Sequence, residues 1–233
     1  PTLSSAASDV YKRQDLSMFK DDVVEHETNQ ELGRSRGYFI QQLKFLQRAA
    51  NCLEEARFPV VAAVQGGCIG GGIDLITAAD IRLCTKDAFF LIEEINVGLA
   101  ADIGTIQRLP KIIPAGIARE WTMMGEKISA ERAKEVGLVS SLHESHEEMI
   151  DSAFEMAEKL ASKTPLAMWV TKEVLNYSRD HSVKEGLDNV ALWNAATLHK
   201  EDVMTTMMSK MQKKKPEYRN LRDKNFLKHK SSK

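Results

Sequence analysis

Long apolar runs are missing from this 233-residue chain: no eighteen consecutive hydrophobic residues occur, and the most apolar stretch, residues 59–64, is only strand-sized. A membrane-spanning helix needs about twenty such residues, so none can be drawn here. Cysteine is scarce as well. Cys52, Cys68 and Cys84 are an odd set with no CxxC pair, which argues against a disulfide framework and fits a reducing compartment. A dominant charge is lacking too. With 32 Lys and Arg against 33 Asp and Glu, the chain as a whole gives no basis for nucleic acid as its main ligand. The imbalance is local: the stretch from Ser209 to Lys233 carries ten basic and two acidic residues. Only this tail is a candidate polyanion contact, and a solvated terminus is the competing reading.

Several chemical signatures are absent. A P-loop needs Lys followed by Ser or Thr after its last glycine, and Gly72 is followed by Ile73 and Asp74; the dinucleotide pattern would need a glycine where Leu75 stands. No Gly-x-Ser-x-Gly elbow occurs. His143 and His146 are three apart with no third ligand type nearby, so no metal is expected. Cys68 has no histidine placed by sequence to activate it.

What is present fits one globular domain: 43% hydrophobic and 28% charged residues suffice to close a core. Residues 1–14 show neither helical nor strand periodicity. Apolar residues from Tyr38 to Ala56 recur at helical spacing and predict a helix over about 31–57, ended by Phe58 and Pro59. Residues 59–65 read as a buried strand, and five glycines between Gly66 and Gly72 then occupy a strand-to-helix junction. Residues 80–85 and 88–92 look like two strands around a turn at Lys86 and Asp87. Ser129 caps a short helix closed by Gly137, with a strand over 138–142. Helices follow over 146–162, 165–178 and 182–211. Met204, Met207, Met208 and Met211 form a stripe suited to core or subunit packing.

Two features can carry chemistry. Backbone N–H groups exposed at a glycine-rich helix N-terminus suit a developing oxyanion such as an enolate, although the same glycines also suit a turn that needs only space. The carboxylates Asp74, Glu94 and Asp102 lie in apolar contexts, where burial and mutual repulsion raise carboxyl pKa values toward the range of general acids and bases. Singly, each also has an ordinary reading: Asp74 as a first-turn residue, Glu94 as half of a solvated pair with Glu93, Asp102 as a helix cap.

The block from Pro59 to Leu75, followed by Ala79 to Arg82 and the strand from Ala88 to Ile92, resembles the crotonase (enoyl-CoA hydratase/isomerase) superfamily; the run from Glu94 to Pro110 is most like its delta(3,5)-delta(2,4)-dienoyl-CoA isomerases. The resemblance implies an α/β fold, a ClpP-like spiral of ββα units over residues 15–145 with a helical C-terminal oligomerisation region over 146–233 that packs trimers or hexamers. The superfamily's upstream strands are expected to be missing from the N-terminus. Carried over, Gly71 supplies an oxyanion N–H with Gly70 and Gly72 shaping the turn, and Lys12 falls at the second donor's position. Glu94 matches the superfamily's catalytic glutamate; Asp74 in place of a second glutamate, together with Asp102, is the dienoyl isomerase pattern.

The reaction implied moves a proton from C2 to C6 of a 3,5-dienoyl-CoA thioester, with Asp102 serving C2, Glu94 serving C6 and Asp74 tuning the pair, or the reverse order. The substrate carries coenzyme A and no separate cofactor or metal is implied. Lys224, Phe226 and Lys228 would lie near that ligand or a neighbouring subunit. The chain stops one Leu short of a Ser-Lys-Leu signal, and the resemblance implies peroxisome or mitochondrion. The competing readings are an enoyl-CoA hydratase and a non-catalytic, RNA-binding protein on the same fold.

Overall fold

The computed structural model describes residues 32–222. It divides into a first unit, formed by the opening helix and Val60–Ala157, and a second, formed by Arg57–Pro59 and the helices from Glu158 onward.

In the first unit, alternating strands feed two small sheets. After helix α1 (Leu32–Glu54) come β1 (Val61–Val64), β2 (Gly67–Ile69) and α2 (Gly71–Ala78), then β3 (Ile81–Thr85) and β4 (Phe89–Leu91). β1 pairs in parallel with β3, Val61 opposite Ile81, and β2 pairs in parallel with β4, Gly67 opposite Phe89. Each strand pair thus places one member in each sheet with a helical crossover between, which is the expected ββα spiral. The turn at Lys86 and Asp87 therefore makes no hairpin; it hands the chain from one sheet to the other. The glycine run is also more than a junction, because its centre is itself strand β2. Gly67 permits this, since a Cβ there would lie 2.8 Å from the Phe89 ring.

A 3₁₀ turn (Glu94–Val97) follows β4, then α3 (Thr105–Ile112), α4 (Ala115–Met124), β5 (Ile128–Ser129), α5 (Ala130–Glu135), β6 (Ser141–His143) and α6 (His146–Ala161). β5 runs antiparallel to β4, and β6 completes the first sheet beside β3. The Ser129 hydroxyl accepts from the Arg132 N–H as expected of a cap, and Gly137 has φ +87°. The expected strand over 138–142 is displaced to Ser141–His143, because Leu138 and Val139 are taken up as buried core residues and the Leu138 carbonyl accepts from Arg82 Nε.

The main core joins Val64, Ile73, Phe90, Leu109, Trp121 and Leu138 across both sheets and α2–α4. Burial of such side chains contributes about 1.5–3 kcal/mol each. α1 docks separately, with Ala50 wholly buried against Ala78 and Ile103.

The second unit contains α7 (Pro165–Arg179), α8 (Val183–Thr197) and α9 (Lys200–Gln212). The helix expected over 182–211 is broken: Leu198 and His199 adopt ψ 111° and 115°, leaving the helical region without a Gly or Pro to announce it. Ser182 and Glu185 form a reciprocal capping box on α8. The methionine stripe is exposed in the single chain, not core. No helix among the described residues is long and apolar enough to cross a membrane.

Candidate active site

Because β2 and β4 are parallel neighbours in register, the chain leaves both at the same sheet end, where ligands of parallel sheets are received. From β2 it enters α2 through Gly70, whose φ of +51° only glycine adopts comfortably and whose N–H donates to the Leu91 carbonyl at 2.9 Å. From β4 it enters the 3₁₀ turn at Glu94. Gly71 and Gly72 are the first two residues of α2, where backbone N–H groups have no intrahelical acceptor and carry the positive end of the helix dipole. Ile73 N–H instead closes back onto the Gly70 carbonyl at 2.7 Å. A Cβ on Gly72 would press on Cys68 Sγ at 3.2 Å.

Glu94 is 3% exposed and neither carboxylate oxygen has a hydrogen-bond partner among the described residues. Burial is the main reason its carboxyl is raised to about 7; its own backbone N–H acts against this, and the charges of Asp74, Asp102 and Glu93 push the same way as burial. Asp74, 1% exposed, is also raised, chiefly by burial and in part by Asp102, against the lowering effects of two bonds from Thr105 and, more weakly, of the Arg108 guanidinium. Asp102 is partly buried and raised by that burial. The three acids expected from sequence therefore sit within one another's fields. Ile95, Val97 and Leu99, the neighbours of Glu94, expose apolar side chains.

The supporting residues escaped the sequence reading. Thr105 at the start of α3 donates to Asp74 Oδ1 through both its N–H and its hydroxyl, each at 2.7 Å. α1 holds the loop carrying Asp102: Gln47 Nε2 donates to the Asp102 carbonyl at 2.7 Å, and Asn51 and Glu54 receive the Arg108 guanidinium at 2.5 and 2.9 Å. Gln47, Asn51 and Glu54 recur at helical spacing beside the apolar seam of Leu46, Ala50 and Leu53, a polar stripe that could have betrayed a buried polar partner. Asn96 Nδ2 donates to the Gly125 carbonyl at 2.9 Å and ties the 3₁₀ turn to the end of α4.

Lys12, Lys224, Phe226 and Lys228 lie outside the described residues. His143 donates to or accepts from Ser141 Oγ at 2.8 Å, and His146 opens α6; no cluster of metal ligands occurs among the described residues. A cavity of about 360 Å³ is lined by residues of α7–α9 and their caps, including Thr164, Val170, Asn194 and Asp202, and by none of the three acids.

A family model described as Enoyl-CoA hydratase/isomerase matches residues 27–231. The peroxisomal Delta(3,5)-Delta(2,4)-dienoyl-CoA isomerase of Arabidopsis thaliana is 40% identical over 94% of this chain and 79% of its own length. The mitochondrial proteins of that name from Rattus norvegicus and Homo sapiens are 43% and 41% identical over 79% and 86% of this chain. The chain spans 57% and 61% of those two relatives' lengths. Among solved structures, the enoyl-CoA hydratase of Bacillus anthracis superposes with a TM-score of 0.75 at 28% identity, covering 82% of this chain and 74% of that one. Sequence match, superposition and the ββα spiral agree, and the chain belongs to the enoyl-CoA hydratase/isomerase family.

Proposed function

We propose that the protein is a delta(3,5)-delta(2,4)-dienoyl-CoA isomerase acting in the oxidation of unsaturated fatty acids. The observation that carries this reading is Glu94: a buried carboxyl with two unpartnered oxygens, held near neutrality beside two further acids. A group with that titration can deliver a proton at pH 7 and take it back. Asp102 removes a proton from C2 of the 3,5-dienoyl thioester. The electron pair delocalises over the thioester oxygen, C4 and C6, and Glu94 protonates C6, leaving double bonds at C2 and C4. The negative oxygen accepts from Gly71 N–H, with Gly70 and Gly72 shaping the turn. Such a donor in a water-poor site is worth about 3 kcal/mol. Asp74 tunes the pair. Exposed Ile95, Val97 and Leu99 suit an acyl chain.

Relatives named peroxisomal and mitochondrial support localisation to the peroxisome, the mitochondrion or both. The exposed apolar side chains of α8 and α9 support self-association, and the family resemblance makes the assembly proposed here a homotrimer or homohexamer.

The test is spectroscopic. Incubated with a 3,5-dienoyl-CoA, the protein should generate the absorbance of a conjugated 2,4-dienoyl thioester, and Asp102→Asn should slow this by about two to four orders of magnitude while thioester binding persists. Loss of a 2-enoyl chromophore without diene formation would make it a hydratase instead, and unchanged turnover in the variant would reject the role of Asp102.

A further inference from the structure

Two buried carboxylates of the site are solvated by the protein in opposite ways. No other residue donates to either oxygen of Glu94, and only its own backbone N–H favours the ionised form, whereas Asp74 Oδ1 receives two donors, both from Thr105, which is itself fully buried. The arrangement arises because Gly104, the residue before α3, has no side chain to cap that helix. Asp74 reaches over from α2 and caps it instead. Gly104 holds φ +139°, and a Cβ there would strike the Arg108 guanidinium at 1.8 Å, so the first turn of α3 can assume this position only with glycine at that point. Asp74 Oδ2 is buried without a partner.

Donors on a carboxylate stabilise its ionised form, and a buried carboxyl without donors keeps its proton. Of the two deeply buried acids Asp74 and Glu94, the one that receives donors from a neighbouring residue ionises first. We propose that Thr105 is a positioning residue which, by fixing Oδ1 of Asp74 with its N–H and hydroxyl, keeps Asp74 ionised and thereby places the shared proton on Glu94. The consequence follows from charge alone. An ionised Asp74 repels a second negative charge on Glu94, so Glu94 stays protonated and able to donate. Removing the Thr105 hydroxyl lets Asp74 take the proton, and Glu94 ionises more readily.

This inference rests on the isomerase reading for its kinetic arm only. In ¹³C-carboxyl NMR titrations of the full chain, Thr105→Val should move the Asp74 midpoint to higher pH and the Glu94 midpoint to lower pH. Thr105→Ser, which keeps the hydroxyl, should leave both where the wild type has them. Thr105→Ala provides the same comparison should valine not be accommodated. In turnover of a 3,5-dienoyl-CoA, Thr105→Val should lower kcat about tenfold with KM within about twofold and shift the alkaline limb of the pH profile toward acid. Unmoved carboxyl midpoints in both hydroxyl-free variants, or a serine variant that behaves like the valine one, would overturn the proposal and leave Thr105 a packing residue. A wild type that does not isomerise would overturn the reading of function, with the titrations still deciding on Thr105.

Discussion

The two units use their apolar residues in opposite ways. In the first, buried charge is enclosed by apolar core: Asp74, Glu94 and Arg108 are all under 9% exposed among Ile73, Ile92, Ile103 and Leu109. Backbone conformations available mainly to glycine, at Gly70, Gly98 and Gly104, bring these groups together. In the second, the helices are regular and α8 opens with a capping box, yet many of their apolar side chains point outward. Leu175, Leu187, Leu192 and Leu198 are each more than 60% exposed, and α9 has no buried residue. Glycine-dependent backbone conformations and buried acids are concentrated where chemistry is proposed; regular helices and exposed leucines mark a surface that another protein surface would cover.

The sharpest way to break this contrast is at Glu94. Glu94→Gln keeps shape and removes the titrating proton, so the isomerase rate should fall by about two to four orders of magnitude. Its thermal midpoint should not fall, because neither oxygen of Glu94 makes a bond to lose. A large loss of stability with retained turnover would mean the residue is structural and the first unit no special case.

Gly104→Ala comes next. The alanine would need φ +139° and would collide with Arg108, whose guanidinium also anchors α3 to Glu54 and Asn51. A cost on the order of 3 kcal/mol is expected in urea unfolding, with no counterpart for an equivalent change at Gly116, where a Cβ meets nothing within 4 Å. Equal tolerance at both positions would show that the backbone at the site is not constrained.

The pH dependence of stability gives a smaller effect of known sign. Glu94 is raised from 4.5 to about 7 in the folded chain, so between those values the folded state holds a proton that the unfolded state has released. Stability from this group is complete below about pH 4.5 and is lost as pH rises through 7. Asp74 and Asp102, also raised, act in the same direction. Wild type should therefore lose urea resistance from pH 5 to pH 7.5 faster than Glu94→Gln; parallel curves would show that Glu94 titrates normally.

Much of this was legible in the residues, for reasons that differ by region. Helix α1 announced itself through periodicity and α5 through the Ser129 cap, because those signals are local. The three acids stood out as charges in apolar stretches. What no local pattern carried was pairing over distance. β2 hides inside a glycine run because its strand identity depends on Phe89, and Thr105 looks like any helix-start threonine until Asp74, 31 residues earlier, is seen beneath it. The break between α8 and α9 left no signal either, since Leu198 and His199 are not turn formers.

The smallest effect tests the second unit. Leu192 and Met207 are 71% and 57% exposed, so replacing both with Lys removes little from the chain's own core, and its unfolding free energy at high dilution should change by no more than about 0.5 kcal/mol per site. Assembly is another matter, because two charges placed on an apolar face must be desolvated for that face to be covered. If the leucines and methionines of α8 and α9 form an interface between copies, sedimentation of the double variant should show a smaller species than the wild type at the same concentration. A pronounced loss of single-chain stability would mean instead that these residues serve the unit's own core, and the two units would then follow the same packing rule.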